Sequence, residues 1–427
     1  MTDIALIQCT NKPLPFDDSA IPIQLLSVAG TLKERGFKTK VFDIRRDIER
    51  DRPIGKCDLI VVNVTTGQSI KEGLSMARMA DYLGIPIVWM GSHVSVLPEQ
   101  SIKSKFVDYV IVGDADLVLP ELAMRLESKQ EVTQRIWMKD VNNLDALPFV
   151  PFDLIDFEEY SGGVGLPILT SRGCPHACAF CLDRAVNRGH WRSMSPPRVI
   201  EHVEYYKDAY GIKDFKFFDD NFCADLERAE KVSRGIIKEK LDIDWSASCR
   251  VDYVKDMSSG LFKLMKDSGC WNLAFGFESG SQRMLDLVNK HVTVEEILDA
   301  CDKLVKNEIG FGGTFQVGLP GETDKDVVDS INLMLFLIRC KATFETYDYV
   351  PHPGTELFKR VVELGFPNPD TLEGWSETDF AYKPWVSKPH RVFIDQIKLM
   401  AEVLGKPNNI AQRIARDLVS NIKRKVG

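Results

Sequence analysis

The sequence predicts an α/β protein in which a doubly wound parallel sheet is followed by a partial (β/α)6 barrel of the TIM type and a small C-terminal helical cap. Two observations lead to this prediction. Short apolar strands alternate with amphipathic helices twice along the chain, and a stretch rich in proline and glycine separates the two series. The predicted boundaries are 1–140 for the doubly wound domain, 141–165 for a linker, 166–365 for the barrel and 366–427 for the cap.

Composition and charge narrow the class of protein. The 427 residues are 44% hydrophobic and 27% charged, which is typical of a folded chain of two or three domains. The net charge of −8 disfavours a nucleic-acid partner, and no apolar run is long enough to span a membrane. The N-terminus resembles no secretory signal, so we expect a cytoplasmic protein. The cysteines that stand alone are expected to be reduced core thiols: Cys9, Cys57, Cys223, Cys249, Cys270, Cys301 and Cys340.

The first series of elements predicts a parallel sheet. Its strands are expected at 3–9, 40–43, 58–63, 86–90 and 108–112, and its helices at 25–35, 69–83, 96–104 and 115–127. Ligands bind such sheets beyond the carboxyl ends of the strands. The residues expected at that edge are Thr65, Thr66, Gly67, Gly91, Ser92, His93, Gly113 and Asp114. The alternative is a sheet that binds nothing and only shields the barrel.

The second series predicts six β–α units. The strands are expected at 168–170, 215–218, 245–249, 273–277, 314–317 and 343–350, and the helices between them at 199–210, 226–238, 258–267, 294–307 and 325–339. Thr293 and Glu296 form a capping box at the start of one of these helices. Helices at 394–404 and 410–426 are expected in the cap, where the aromatic-rich stretch 366–395 would cover an open barrel edge.

Three closely spaced cysteines leave the end of the first barrel strand. Cys174, Cys178 and Cys181 are separated by three and then two residues, and Gly173 and Pro175 suit the sharp loop that would bring them together. Four cysteines normally hold an iron–sulfur cube, so three would leave one iron open to another ligand. The alternative is a structural zinc site completed by a distant Cys or His.

Polar residues follow the other predicted barrel strands at their carboxyl ends. The carboxyl ends of barrel strands carry function, and these side chains are Asp219, Asp220, Asn221, Ser248, Arg250 and Glu278. Each could also be a solvated turn or a helix cap. Their shared position favours a binding edge.

The run Cys-x-x-x-Cys-x-Phe-Cys after Ser171-Arg172-Gly173 resembles the signature of radical S-adenosylmethionine (radical SAM) enzymes. Together with the N-terminal sheet, the pattern up to residue 365 is similar to the cobalamin-dependent radical SAM enzymes of the C-methyltransferase type. The resemblance implies a 4Fe-4S cluster on the three cysteines, S-adenosylmethionine on the open iron, and a Rossmann-like domain that binds cobalamin.

The resemblance also assigns individual residues. It implies that Asp219, Asp220 and Asn221 accept hydrogen bonds from the methionyl ammonium, and that Ser248, Arg250 and Glu278 hold the carboxylate and the ribose. Phe180, Gly318, Gly321 and Tyr349 would lie by the adenine. The eight residues at the edge of the N-terminal sheet would contact cobalamin. The segment 10–16 after the first strand lacks histidine, so we expect cobalt without a histidine lower ligand.

The expected function is methyl transfer from methylcobalamin to an unactivated carbon, with the hydrogen taken by a 5′-deoxyadenosyl radical. No protein side chain is assigned as a catalytic acid or base. A peptide or protein side chain is the first candidate substrate, and a glutamine of methyl-coenzyme M reductase is one example. Flavodoxin or ferredoxin would be the electron donor. Rearrangement or carbon–carbon coupling of a natural product or lipid, methylthiolation, and a non-catalytic cobalamin or iron–sulfur sensor are the alternatives.

Overall fold

A computed structural model describes residues 2–10, 20–46, 56–160 and 165–404 of the chain. By its internal contacts the chain forms two compact units. Among the described residues, the first consists of those within 2–176, 180–202 and 350–382, and the second of those within 177–179, 203–349 and 383–404. These units are defined by contacts in the folded chain, so their bounds differ from the domain boundaries predicted from the sequence. Those boundaries stay a prediction.

The first unit is built on a six-stranded parallel sheet. Its strands, β1 to β6 in chain order, are Asp3–Gln8, Lys38–Asp43, Leu59–Asn63, Ile87–Met90, Tyr109–Val112 and Ile136–Met138. Their order across the sheet is β2-β1-β3-β4-β5-β6. The helices α1 to α5 are Ile23–Glu34, Gln68–Leu83, Ser92–Val96, Pro98–Ser101 and Val118–Glu127. All residues of β3 and β4 are buried, so their near-continuous apolar sequences suit central strands.

The predicted sheet is confirmed, with two corrections. β6 is a sixth strand beyond the five that were predicted, because a strand of three residues is too short to show a period in the sequence. The helix predicted at 96–104 is wrong, since α3 already begins at Ser92 and Pro98 starts the separate helix α4. Proline fits the first turn of a helix but not its interior, which explains the division.

The first unit also includes short elements on either side of the cysteine motif, as well as residues 350–382 from the end of the barrel series. The strands β7 to β9 are Leu166–Ile168, Ser171–Arg172 and Arg192–Ser193, and helix α6 is Leu182–Asn187. β8 and β9 pair as a small antiparallel sheet. Helix α7, Pro196–Tyr210, runs from the first unit into the second.

The second unit contains the five remaining predicted barrel strands, all parallel. β10 to β14 are Asp214–Phe217, Asp244–Cys249, Cys270–Glu278, Gly310–Val317 and Thr343–Asp348, and they follow one another across the sheet in chain order. The helices α8 to α12 are Leu226–Lys238, Ser259–Asp267, Gln282–Leu287, Val294–Lys306 and Asp324–Arg339. Strands and helices alternate along the chain as predicted, and the short helix α10 is present in addition to the predicted helices.

The local signals in the sequence explain where these helices begin. The capping box of Thr293 and Glu296 is present at the start of α11, and a second one, Thr323 with Asp326, opens α12. Each box satisfies backbone N–H groups that the first helical turn leaves without partners. The start of α8 at Leu226 follows the side-chain cap of Asp225.

The C-terminal segment is shared between the units. Helices α13 and α14, Glu356–Glu363 and Leu372–Glu377, belong to the first unit, and α14 packs on α2. Helix α15, Lys388–Leu404, belongs to the second unit and packs on α12 and β14. The aromatic-rich stretch 366–395 is therefore not one cap, and the predicted helix 410–426 lies outside the described residues.

Two of the cysteines expected to be reduced are paired instead. Cys223 and Cys249 form a disulfide, with their Cα atoms 5.5 Å apart. Cys223 follows β10 and Cys249 ends β11 on the neighbouring strand, so the pairing follows from the sheet order, which spacing along the sequence does not reveal.

None of the helices in the described part of the chain combines the length and the apolar composition needed to cross a bilayer.

Candidate active site

The carboxyl-end edge of the first sheet places the polar residues predicted there next to each other. Gly91 follows β4 with φ +108°, and a Cβ atom at this position would collide with the Asn63 side chain and the Val64 backbone. Only glycine allows the backbone to pass so close to the end of β3. The Thr65 backbone N–H donates to the Ser69 hydroxyl at 3.0 Å, which holds the turn into α2.

His93 is fully buried at this edge. Its Nδ1 lies 3.0 Å from the Thr66 hydroxyl, and the Trp375 ring of α14 meets the imidazole edge-on at 5.9 Å between centroids. Burial lowers the pKa of His93 to about 3, so the ring is neutral near neutral pH. The Trp375 contact could not be predicted, because it joins residues far apart in the sequence.

Three of the buried polar atoms at the same edge that have no hydrogen-bond partner among the described residues belong to predicted site residues. They are the Thr65 hydroxyl, the Ser92 hydroxyl and Nε2 of His93. A buried polar atom without a partner costs free energy, so it suits a bound group that offers hydrogen bonds. The amide-rich rim of a corrin is such a group, and these residues fit it.

Asp114, which is predicted to contact cobalamin, accepts hydrogen bonds from two arginines. Arg172 and Arg192 lie directly opposite each other on β8 and β9, where like charges repel. Asp114 accepts from both at 2.9 Å. Arg172 also pairs with Asp116 at 2.6 Å, and Asp116 accepts from the Ser27 hydroxyl at 2.5 Å.

This cluster of Arg172, Arg192, Asp114, Asp116 and Ser27 is nearly closed to solvent, and we call it the arginine–aspartate cluster. Burial alone would raise the pKa of Asp116, but the Arg172 guanidinium outweighs burial and the pKa is lowered. The cluster therefore keeps its charges paired. It anchors the residue two positions before Cys174 to the turn after β5. Sequence reasoning missed Arg172 as an anchor, although its place beside the cysteine motif was visible.

The three cysteines of the motif are each partly buried. Arg250 Nη1 donates to Cys178 Sγ at 3.2 Å. Two hydrogen bonds fix the backbone beside Cys178. The Ala179 N–H donates to the Val288 carbonyl at 2.8 Å, and the Asn289 side-chain amide donates to the Ala177 carbonyl at 2.9 Å. Cys174 and Cys181 belong to the first unit and Cys178 to the second.

No group of three His, Cys, Asp or Glu side chains within the described ranges is arranged to hold a metal ion. Convergence of the three thiols on one cluster therefore stays a prediction of the motif. The donor set itself fits iron–sulfur chemistry, since three thiolates are the ligands that such a cluster takes.

The end of β10 places its predicted residues in different environments. Asp219 is buried with its carboxylate 4.0 Å from Arg228, whereas Asp220 is exposed. Asn221 is fully buried at the start of the turn that leads to Cys223.

Glu278, at the end of β12, is the centre of a charged network. Its carboxylate accepts from Lys290 at 2.9 Å and from the Gln316 amide at 2.7 Å. Arg250 joins the network by donating to the Lys290 carbonyl at 2.6 Å. Glu278 also adopts φ +64°, a conformation that costs free energy in a residue other than glycine and that clusters at functional sites. Lys290 carried no signal in the sequence.

The turn after β13 is held by the C-terminal segment of the second unit. Gly318 has φ +74°, and its N–H donates to Glu322 at 2.7 Å while its carbonyl accepts from the Trp385 indole at 2.9 Å. His390 contacts Glu322 at 3.5 Å and Asp324 at 2.5 Å. The neighbouring Glu322 carboxylate raises the pKa of His390 above its ordinary value.

The four remaining residues that were predicted to bind S-adenosylmethionine are Phe180, Ser248, Gly321 and Tyr349. Tyr349 is buried, its hydroxyl has no partner among the described residues, and its ring lies 6.2 Å from Trp385. The Gly321 carbonyl accepts from Arg283 at 2.8 Å. Ser248 lies on β11 and Phe180 in the cysteine loop, each partly buried. The second unit thus gathers a cationic Arg250, a buried carboxylate and a turn with two glycines at the ends of parallel strands, which suits a zwitterionic ligand with a flat ring.

Comparison with known proteins identifies the same pattern. Residues 168–334 match the model of the radical SAM superfamily. The chain is 30% identical over 383 residues to an uncharacterized methyltransferase of Pyrococcus horikoshii, and the match covers 82% of each chain.

Two solved structures share the fold. The radical S-adenosylmethionine methyltransferase TsrM from Kitasatospora setae, with tryptophan and a SAM analogue bound, superposes with a TM-score of 0.67 at 18% identity over 86% of this chain and 77% of that one. The cobalamin-dependent S-adenosylmethionine radical enzyme OxsB superposes with a TM-score of 0.62 at 17% identity, over 96% of this chain and 63% of that one.

Proposed function

Since the chain belongs to the radical SAM superfamily, in a family of methyltransferases, we propose that it is a cobalamin-dependent C-methyltransferase that moves a methyl group from methylcobalamin to an unactivated carbon. The observation that carries the proposal is the contact of Arg250 with Cys178, because it joins the motif to the charged network of Glu278 and Lys290. The sheet N-terminal to the motif belongs to a fold shared with a cobalamin-dependent enzyme, and this supports methylcobalamin as the methyl donor.

Cys174, Cys178 and Cys181 would hold the cluster, and the residues at the ends of β10 to β13 would hold S-adenosylmethionine. When bound, the cluster supplies the electron for cleavage of S-adenosylmethionine, and the corrin supplies the methyl group. The protein contributes binding, orientation and exclusion of water.

The charged network has a defined task in this proposal. Arg250 donates to Cys178, so it places a positive charge directly beside that sulfur. Lys290 holds the Glu278 carboxylate in place through a buried ion pair. A fixed carboxylate of this kind binds ribose hydroxyls with little loss of side-chain entropy.

The edge of the first sheet would hold cobalamin without a histidine below cobalt. His93 is buried against Trp375 and bonded to Thr66, so it acts as part of the wall. The Thr65 and Ser92 hydroxyls would donate to the corrin side chains.

The substrate that we propose first is a peptide or protein side chain, with a glutamine of methyl-coenzyme M reductase as one case. A second class of candidate substrate is a small-molecule precursor of a natural product. A cytidylyl-2-hydroxyethylphosphonate methyltransferase of Streptomyces wedmorensis is 26% identical over 280 residues, covering 59% of this chain and 51% of its own, and this relative favours the second class. Electrons would come from flavodoxin or ferredoxin, and the reaction would take place in the cytoplasm.

The test is an anaerobic incubation of the reconstituted protein with cobalamin, S-adenosylmethionine and a low-potential reductant. Methyl transfer yields S-adenosylhomocysteine alongside 5′-deoxyadenosine, and both are quantified by mass spectrometry with candidate peptides and phosphonates. Deoxyadenosine without S-adenosylhomocysteine would contradict methyl transfer and favour rearrangement or coupling. Cofactor binding with neither product would favour a sensor.

A further inference from the structure

The two faces of the sheet β10–β14 have different compositions. Alternate residues such as Phe215, Phe217, Phe275 and Phe277 are fully buried. The residues between them are small or polar, and the register places them side by side on one face: Lys216, Ser246, Asn272, Gly276, Thr314, Gln316, Glu345 and Tyr347. We call this the polar face. A TIM-type barrel normally fills its interior with branched apolar side chains, so a polar face indicates a ligand-binding interior.

Two charged side chains of opposite sign belong to the polar face, Lys216 on β10 and Glu345 on β14. The Glu345 charge favours the protonated form of Lys216. Both side chains border the space in front of the polar face.

Lys216 is the cation of this space. Burial lowers its pKa, and the Glu345 charge opposes that shift. Its Nζ lies 5.1 Å from the centroid of the Phe218 ring, two residues further along the same face. Among the described residues no carboxylate forms an ion pair with Nζ. The three donor protons of the ammonium are therefore available to a ligand.

Glu345 does not satisfy Lys216 because it has a nearer partner. The Tyr347 hydroxyl, on the same face of β14, donates to the Glu345 carboxylate. Burial raises the pKa of Tyr347, and this hydrogen bond raises it further, so Tyr347 stays protonated. Phe218 adds an apolar surface, since this large ring is 38% exposed. The space thus offers a free ammonium, an aromatic ring and a neutral hydroxyl.

We propose that the polar face binds the substrate of the reaction proposed above through an anionic group, a carboxylate, phosphate or phosphonate held by Lys216, with an apolar or aromatic portion against Phe218. A half-buried ammonium forms stronger hydrogen bonds with an anion than with a neutral acceptor. The proposal rests on the proposed function, because it takes the polar face as the substrate site of that enzyme.

The experiment measures binding of three probes to the reconstituted holoenzyme by calorimetry: 3-phenylpropionate, phenylphosphonate and the neutral 3-phenylpropanamide. The variants are Lys216→Met, which keeps the apolar stem, and Lys216→Arg, which keeps the charge. Lys213→Met is the matched control, because Lys213 is exposed and pairs with Asp242 at 2.8 Å. Thermal unfolding of each variant verifies that it is folded.

We expect the wild type to prefer both anions to the amide, and Lys216→Met to lose affinity for the anions about tenfold or more, as for removal of one charged hydrogen bond. Lys216→Arg and Lys213→Met should bind them nearly as the wild type does. Equal binding of anion and amide, or no loss in Lys216→Met, overturns the proposal.

A separate readout keeps the two proposals apart. S-Adenosylmethionine carries its own carboxylate, so its affinity is measured in the same variants. An equal loss of affinity for S-adenosylmethionine and for the probes would assign Lys216 to the cofactor and overturn a substrate role. Absence of deoxyadenosine in the wild type would refute the proposed function and leave the anion site in place.

Discussion

The two predicted binding edges differ in how they satisfy their buried polar groups. At the edge of the first sheet, the charges pair with one another in the arginine–aspartate cluster. Within the described part of the chain, Thr65, Ser92 and His93 each keep a buried polar atom without a hydrogen-bond partner. At the edge of the second sheet, the charged side chains Arg250 and Glu278 line the strand ends themselves.

This difference matches the ligands that we propose. A neutral edge with hydrogen-bonding capacity suits the uncharged amides of a corrin, whereas a charged edge suits the zwitterion of S-adenosylmethionine. The histidines follow the same rule. Burial keeps His93 neutral at the first edge, and two carboxylates favour the protonated form of His390 at the second.

The largest effect is expected from a substitution in the cysteine motif, which should disturb the edge of the second sheet and leave the first unchanged. Cys178→Ala should abolish formation of 5′-deoxyadenosine, because the cluster would lose a ligand that Arg250 contacts. Iron content and the electron paramagnetic resonance signal of the reduced protein verify the cause. Cys340→Ala, at the end of α12, is the control and should keep both signals. Undiminished deoxyadenosine in Cys178→Ala would remove the cluster assignment.

The next effect concerns stability and the first edge. Arg172→Met should lower the free energy of unfolding by about 3–5 kcal/mol, because it leaves buried Asp116 without its cation. Arg188→Met removes an ion pair with Asp140 that is much more exposed, and it should cost about 0–1 kcal/mol. Urea unfolding followed by circular dichroism measures both. Similar losses in the two variants would show that the arginine–aspartate cluster is not special.

A smaller effect is expected from His93. Its folded pKa of about 3 lies below the ordinary 6.5, so the unfolded chain binds the extra proton as the pH falls. Between about pH 8 and about pH 5 this linkage should lower the free energy of unfolding by about 2 kcal/mol. His93→Asn should flatten that part of the pH profile, and the exposed His190→Asn should not. An unchanged profile in His93→Asn would contradict neutral burial.

His390 should act in the opposite direction and least strongly, since its partner Asp324 is exposed. Its folded pKa is raised, so its contribution is fully present below about pH 6.5 and is lost as the pH rises through the folded pKa. The difference in unfolding free energy between wild type and His390→Asn should therefore shrink with rising pH. A difference that grows instead would exclude the ion pairs with Glu322 and Asp324.

Much of the fold could be predicted because its signals are local. The capping box at Thr293 and the alternation of strands with helices depend on residues within a few positions of one another. β6 escaped prediction because three residues carry no measurable period. Of the candidate site, the Gly318 turn and Glu278 were predicted from their place after strands, while their partners Trp385 and Lys290 were not.

The sequence by itself determined the cysteine motif, the two series of strands and helices, and the kind of side chain that ends each strand. Only the tertiary structure decided which of those side chains pair. Asp114 meets Arg172, Cys223 meets Cys249, and Trp375 meets His93. The physical reason is that spacing and propensity act over a few residues, whereas ion pairs, disulfides and ring contacts depend on which strands and helices the folded chain brings together.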